Sequence, residues 1–351
     1  MFWVCGQIFL KILDILYSQR IFLYNIGDME ENFVKRYDAL VIDSVNFAYR
    51  TFKIEGETPV RISKKTVYKD SICNFIDSVE DLKNKYLKSD GQVYLLFDNY
   101  FSRADLRSMY MFVNRKELNE SYKANRKKES KEFYNSLNFL RYFYLIGPEQ
   151  YHTIKIDNLE ADDLVKPLFE TIKVIGGNTS ALMVTNDLDW TRYLSDSVDW
   201  LPRLNETPED VRVLSNKLGF NVNEKSIIAY KALFGDSSDN IKGMVTLNNK
   251  NLEEFRELMN KCSFADDLIS LARTVPNTQG KSILKAIHDD EKTYIINMQL
   301  VDTIACSKET LACSLTTGRN AVSLYSTIKK AIGLDGPEKF TFGNVRRTRI
   351  S

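Results

Sequence analysis

The sequence predicts an α/β fold built on a largely parallel sheet, and two observations carry that prediction. Short apolar runs that read as buried strands recur, each ending in an acidic residue: Asp38–Asp43, Gln92–Asp98, and Ser180–Val184 followed by Thr185-Asn186-Asp187-Leu188-Asp189. Segments with helical spacing of apolar residues separate them, and that alternation is the pattern of βαβ units. In such sheets ligands bind beyond the carboxyl ends of the strands. Asp43, Asp98, Asp187 and Asp189 all fall there.

Taken in order, Asp38-Ala39-Leu40-Val41-Ile42-Asp43 is the first strand and Ser44–Thr51 a helix after it. Lys69–Lys88 is a helix, with Ile72, Phe75, Ile76, Val79 and Leu82 on one face. Gln92-Val93-Tyr94-Leu95-Leu96-Phe97-Asp98 is the second strand. Between Asp98 and Asn138 the composition shifts: Arg103, Arg107, Arg115, Lys116, Lys123, Arg126, Lys127, Lys128 and Lys131 are interleaved with Tyr100, Phe101, Tyr110, Phe112, Tyr122, Phe133 and Tyr134. Such a segment suits phosphate contacts and base stacking, and equally a solvated helix with a few core aromatics. The stretch Asn158-Leu159-Glu160-Ala161-Asp162-Asp163-Leu164 holds three acids in four residues. Asn158 reads as an N-cap, with Glu160 and Asp163 on one helical face. Like charges this close repel unless a cation sits among them. Pro208–Leu218 and Asn223–Phe234 are helical, the second running into Gly235-Asp236-Ser237-Ser238-Asp239-Asn240-Ile241-Lys242-Gly243. Leu252–Leu334 is mostly helical, and the tail Arg346–Ser351 is basic.

The totals narrow the chemistry. The chain has 351 residues, two histidines and five cysteines without a CxxC pair. This reads against a His/Cys zinc site and against a Ser-His-Asp hydrolase, and for reduced thiols in a cytoplasmic protein. No apolar run is long enough to span a bilayer. Residues 1–28 are apolar-rich but lack a basic n-region, which reads against a signal peptide. They are either an added amphipathic helix or, the reading we favour, a segment preceding the working start at Met29. Setting nine carboxylates aside in one metal site leaves the rest of the chain at +10, against a formal total of +1. A basic surface around an acidic hole suits an enzyme acting on a polyanion.

Six motifs in order resemble the 5′-nuclease superfamily: flap endonucleases, the 5′-nuclease domains of bacterial DNA polymerases, and phage 5′→3′ exonucleases and RNases H. They are Val41-Ile42-Asp43, Leu96-Phe97-Asp98, Tyr122-Lys123-Ala124-Asn125-Arg126, Glu160-Ala161-Asp162-Asp163, Thr185–Asp189 and Gly235–Ile241. The resemblance implies a PIN-like, mostly parallel sheet flanked by helices, with a helical arch over about 99–137 and a C-terminal helical DNA-binding region. The domains would be 29–205 and 206–351. It further implies a phosphodiesterase that uses two magnesium ions (manganese substituting) and cuts near 5′ ends of DNA or of RNA–DNA hybrids, in phage replication or repair. Asp43, Asp98, Glu160, Asp162 and Asp163 would serve the first ion, and Asp187, Asp189, Asp236 and Asp239 the second. Lys123 and Arg126 would neutralise charge on the scissile phosphate, and Tyr122 would stack on the terminal base. Lys127, Lys128, Lys242 and Lys250 would contact nucleic acid.

One departure stands out. The family's Gly-x-Gly hairpin after Gly243 is replaced by Met244-Val245-Thr246-Leu247-Asn248-Asn249-Lys250, which argues against the potassium site that hairpin often carries. The expected protein is a monomer without membrane contact; a clamp or single-strand-binding partner is left open. Two alternatives are a PIN-type single-strand ribonuclease and a non-catalytic DNA-junction binder.

Overall fold

The computed structural model describes residues 34–62, 64–98, 115–125, 129–156, 159–274, 282–303, 310–311 and 314–333. Its centre is a six-stranded sheet. The strands are β1 (Tyr37–Asp43), β4 (Leu87–Leu96), β5 (Tyr151–Ile154), β6 (Ala181–Val184), β7 (Val198–Leu201) and β10 (Thr316–Thr317). Their spatial order is β10-β5-β4-β1-β6-β7, and every neighbouring pair is parallel except β10 with β5. Two small antiparallel pairs lie outside it: β2 (Val60–Ile62) with β3 (Lys65–Val67), and β8 (Gly235–Asp236) with β9 (Ile241–Lys242).

The period-two side-chain alternation of strands divides the core into two faces. Ala39, Val41, Tyr94, Leu96, Ala181 and Met183 point to one face, where they meet Leu164, Leu168, Ile227, Ala232, Tyr294 and Leu300. Leu40, Ile42, Val93, Leu95, Leu182 and Val184 point to the other, against Phe47, Phe75, Ile76, Leu140 and Tyr325. Helices therefore cover both faces, as a parallel sheet requires.

This is the mostly parallel, helix-flanked sheet that the strand pattern predicts, with three differences. The helix Lys69–Tyr86 stops two residues early and β4 begins at once, five residues before the expected strand; a register shift against β1 between Tyr37 and Ala39 absorbs the extra residues. Strands β5 and β7 went unread, because each is four residues long and carries a polar residue, His152 or Asp199. Asp199 is tolerated inside because Tyr37 Oη donates to it at 2.5 Å and Lys35 Nζ at 2.7 Å. Third, a boundary at 205/206 does not separate two cores. The helices after Val211 share the first face's core, and the chain returns through β10 and the helix Val322–Ile332, which packs on Lys131–Ile146 and Lys69–Tyr86.

About half of the expected arch, 99–114 and 126–128, lies outside the described residues, as do 1–33 and 334–351. Among the described residues no helix is long and apolar enough to cross a membrane.

Candidate active site

Because β1, β4 and β6 run parallel, their carboxyl ends share one edge, and that edge carries Asp43, Asp98 and Asp187. Asp43 ends β1 and caps the helix Ser44–Thr51, accepting from Asn46 N–H at 3.1 Å and from Thr185 Oγ1 at 3.2 Å. Asp98 lies two residues past β4 and accepts the Ala161 amide at 2.7 Å. Asp187 caps the 3-10 turn Leu188–Tyr193 through the Asp189 amide at 2.9 Å. Asp43 and Asp187 thus act as caps, and that role coexists with their convergence.

The Glu160 stretch differs from its expected helical form. Asp162–Leu164 is a 3-10 turn, and the α-helix starts only at Val165. Asn158, expected as the cap, lies outside the described residues. Asp163 turns back instead to accept the Glu160 amide at 3.0 Å. Arg115 fills the space between these acids, with Nη1 at 2.8 Å from Glu160 and Nη2 at 2.8 Å from Asp163 and 3.9 Å from Asp162.

The second group centres on Lys231, in the helix Glu224–Phe234. Its ammonium is 2.8 Å from Asp189, 2.6 Å from Asp236 and 3.8 Å from Asp187. Asp189 also pairs with Arg192 at 3.0 Å. Carboxylate oxygens of Asp189, Asp236 and Asp239 lie within 4.8 Å of one another. Gly235 (φ +85°) and Gly243 make this corner possible. A Cβ on Gly235 would stand 2.5 Å from the Gly243 nitrogen, and one on Gly243 2.4 Å from the Phe234 carbonyl oxygen. After Gly243, the amides of Met244 and Val245 both donate to the Leu233 carbonyl, at 2.7 and 3.0 Å. They face the protein's own backbone.

The turn Ser121–Asn125 joins the two groups. Lys123 Nζ is 2.5 Å from Glu160 and 3.5 Å from Asp239, and its amide donates to the Asp239 carbonyl at 2.9 Å. Asn125 donates to the Ser237 carbonyl and Asn240 to the Ser121 carbonyl, each at 2.8 Å. Tyr122 is placed differently from the stacking role expected of it. Its ring is 4% exposed within the core, and its hydroxyl donates to Asp239 at 3.0 Å. Its ring faces inward because the turn locks onto the Asp236–Asn240 loop. Among the described residues, an exposed aromatic is Tyr49, in the helix that Asp43 caps: it is 54% exposed and stacks on Phe133 at 5.1 Å. Next to it, Arg50 holds the Pro202 carbonyl at 2.9 Å, while its buried Nε and Nη2 have no hydrogen-bond partner among the described residues. Arg126, Lys127 and Lys128 lie outside the described residues; Lys242 and Lys250 are exposed.

Against these nine carboxylates stand, among the described residues, Arg115, Lys123, Arg192 and Lys231, with Arg50 beside Asp43. The negative excess shows in the acids. Burial, then Asp98 and Asp187, pushes Asp43 well above the usual carboxylate range. Burial and Asp162 raise Asp163 to about 7 against the pull of Arg115. Burial and Asp189 raise Asp187 to about 7. Asp189 and Asp236 are pushed up by burial too, but Lys231 outweighs it and holds both low. A set of hard oxygen donors with surplus negative charge fits divalent cations of the magnesium or manganese kind.

This balance sets a stability prediction. Asp163 and Asp187 bind protons more tightly folded than unfolded, so between about pH 4 and 7 the folded state holds protons that the unfolded chain has lost. Stability falls as pH rises through that window. His152, held near 4 by burial, opposes this below 6.5, but as one group against three acids. The metal-free protein should melt lower at pH 7.5 than at pH 5, and added magnesium or manganese should recover the loss at pH 7.5. A melting temperature that rises over this range without metal would contradict the repelling cluster.

Residues 38–219, just over half of the chain, match the family model described as the 5′-3′ exonuclease, N-terminal resolvase-like domain. A flap endonuclease Xni of Shewanella piezotolerans is 26% identical over 187 residues, covering 53% of this chain and 69% of the relative. A 5′-3′ exonuclease of Buchnera aphidicola subsp. Schizaphis graminum is 23% identical over 281 residues, covering 76% of this chain and 86% of the relative. Among solved structures, a bacteriophage T5 flap endonuclease in complex with DNA and metal ions superposes with a TM-score of 0.55 at 18% identity, covering 85% of this chain and 99% of that one.

Proposed function

This chain belongs to the 5′-3′ exonuclease family, and from that premise we propose that it is a divalent-metal-dependent nuclease. It hydrolyses phosphodiesters near the 5′ ends of DNA flaps, nicked duplexes or RNA–DNA hybrids, in phage DNA replication or repair. The observation that carries this reading is the convergence of nine acids from five separate segments on one sheet edge, with Asp189, Asp236 and Asp239 close enough to share an ion. The similarity to flap endonucleases and 5′-3′ exonucleases supports the substrate class.

The residues divide the work. Asp43, Asp98, Glu160, Asp162 and Asp163 would hold one magnesium ion, and Asp187, Asp189, Asp236 and Asp239 a second. Such ions, when bound, activate water and stabilise the leaving oxygen of an in-line displacement. Lys123 and Arg126 neutralise charge on the scissile phosphate. Lys242 and Lys250 contact the duplex. The stacking assigned to Tyr122 passes to Tyr49. Base–aromatic stacking is worth about 1–3 kcal/mol per base, so Tyr49→Ala should weaken binding of a single-stranded 5′ end by roughly 5- to 150-fold. Tyr122→Phe, which removes only the hydroxyl on Asp239, should leave that affinity unchanged. An unchanged affinity of Tyr49→Ala in a fluorescence-anisotropy titration would take the stacking away from Tyr49.

The test is a gel assay of 5′-labelled flap, nicked and RNA–DNA substrates, with and without magnesium. Metal-dependent release of short 5′ products is expected. Cleavage confined to single-stranded RNA would favour a PIN-type ribonuclease, and junction binding without cleavage a non-catalytic binder.

A further inference from the structure

Two buried arginines each divide their donors between the acid cluster and one helix end. Arg115 holds Glu160 and Asp163 with its two terminal nitrogens, and Nη2 also donates to the Asp302 carbonyl at 2.8 Å. Arg192 holds Asp189 at 3.0 Å and donates to the Val301 carbonyl at 2.9 Å, while its Nε donates to Asp189's own carbonyl at 2.8 Å. Val301 and Asp302 are consecutive, at the C-terminal end of the helix Glu291–Val301. The negative end of a helix dipole favours cations there. Asn297, in the same helix, donates to the Ala232 and Lys242 carbonyls at 2.9 and 3.0 Å, tying it to the Lys231 helix and to β9.

Building on the nuclease reading above, we infer that Arg115 and Arg192 are positioning residues that set the spacing between the two halves of the acid cluster. Each guanidinium is a rigid fork, and the two forks are anchored one peptide unit apart on a single helix end. Glu160 and Asp163 are held from one anchor, Asp189 from the next. The end of the helix Glu291–Val301, far along the chain from every acid, is thus part of the site's scaffold. An ammonium in the same place would supply the charge as a compact point donor, without the planar fork that fixes acid and carbonyl at a set angle and spacing.

Arg115→Lys and Arg192→Lys keep the charge and remove the fork. Titrated with manganese alone, each variant should bind the metal at least about fivefold more weakly than wild type. With magnesium and substrate, single-turnover cleavage should fall by at least about tenfold while substrate affinity stays within about twofold, the signature of lost positioning. A purely structural role would lower the melting temperature and leave manganese affinity and the rate unchanged, and that result would overturn the inference. A measurement on the wild type covers the case in which the variants do not fold. Manganese should slow hydrogen exchange of the Val301 and Asp302 amides; unchanged exchange would equally overturn it. If the wild type binds manganese but cuts no nucleic acid, the nuclease reading fails instead, and the metal-affinity and exchange results still decide the role of the arginines.

Discussion

Asp187→Asn should lower the single-turnover cleavage rate by about a thousandfold or more while raising the melting temperature of the metal-free protein at neutral pH. The two effects have one cause. Asp187 carries a proton affinity raised to about 7 by burial and by Asp189, so its charged form is unfavourable in the metal-free fold. An amide relieves that repulsion. It also keeps the local structure, because the side-chain oxygen can still accept the Asp189 amide that caps the 3-10 turn. Lys231 retains Asp189 and Asp236 as partners. The variant lacks the anionic oxygen that a divalent ion requires, and a thousandfold loss corresponds to about 4 kcal/mol of transition-state stabilisation. A plain helix cap behaves oppositely. Asp210 caps Val211–Leu218 by accepting the Arg212 and Val213 amides at 2.8 Å, away from the cluster. Asp210→Ala should lose about 1 kcal/mol of stability and no activity. Thermal melting beside single-turnover kinetics separates the cases; an Asp187→Asn protein that melts lower and still cuts at the wild-type rate would make Asp187 a cap and nothing more.

The acids were legible in the sequence because of where they stand. An apolar run ending in Asp43 or Asp98 states both the strand and its carboxyl end, and the parallel topology brings those ends together. The cations were not. Lys231 lies in the apolar run Ile227-Ile228-Ala229-Tyr230-Lys231-Ala232-Leu233, and a lysine there asks for a buried acidic partner, but nothing local says which. Arg115 read as one more basic residue of the arch, because its contacts with Glu160, Asp163 and the Asp302 carbonyl are 45 to 187 residues distant. The burial of Tyr122 is hidden from the sequence for the same reason. Its motif places it beside Lys123, but the direction of its ring depends on the turn's hydrogen bonds to the Asp236–Asn240 loop. Strands β5 and β7 escaped because four residues with a polar one inside give no alternation to read, and their burial is conferred by neighbouring strands.

Lys123→Ala should slow cleavage by about a hundredfold or more and weaken substrate binding only a few-fold. Lys123 sits in a left-handed backbone conformation, φ +56°, which costs a non-glycine residue about 1 kcal/mol or more. The surrounding structure maintains it: the Lys123 amide is fixed on the Asp239 carbonyl, and the neighbouring Tyr122 hydroxyl on the Asp239 carboxylate. The result is an ammonium held between Glu160 and Asp239, one acid from each half of the cluster. Metal held by those acids would lie beside this ammonium, and the ammonium would then offset charge growing on a scissile phosphate during the displacement. An interaction strengthened at that stage lowers the barrier more than it tightens the ground state. Two control variants sharpen the reading. Lys123→Arg keeps a cation of different shape and should recover part of the rate. Lys242→Ala removes an exposed lysine on β9 and should weaken binding and shallow its salt dependence by about one unit, with the rate at saturation unchanged. Should Lys123→Ala instead behave like Lys242→Ala, with wild-type single-turnover rates and collapsed affinity, the lysine would only grip the substrate and the chemistry would have to be carried without it.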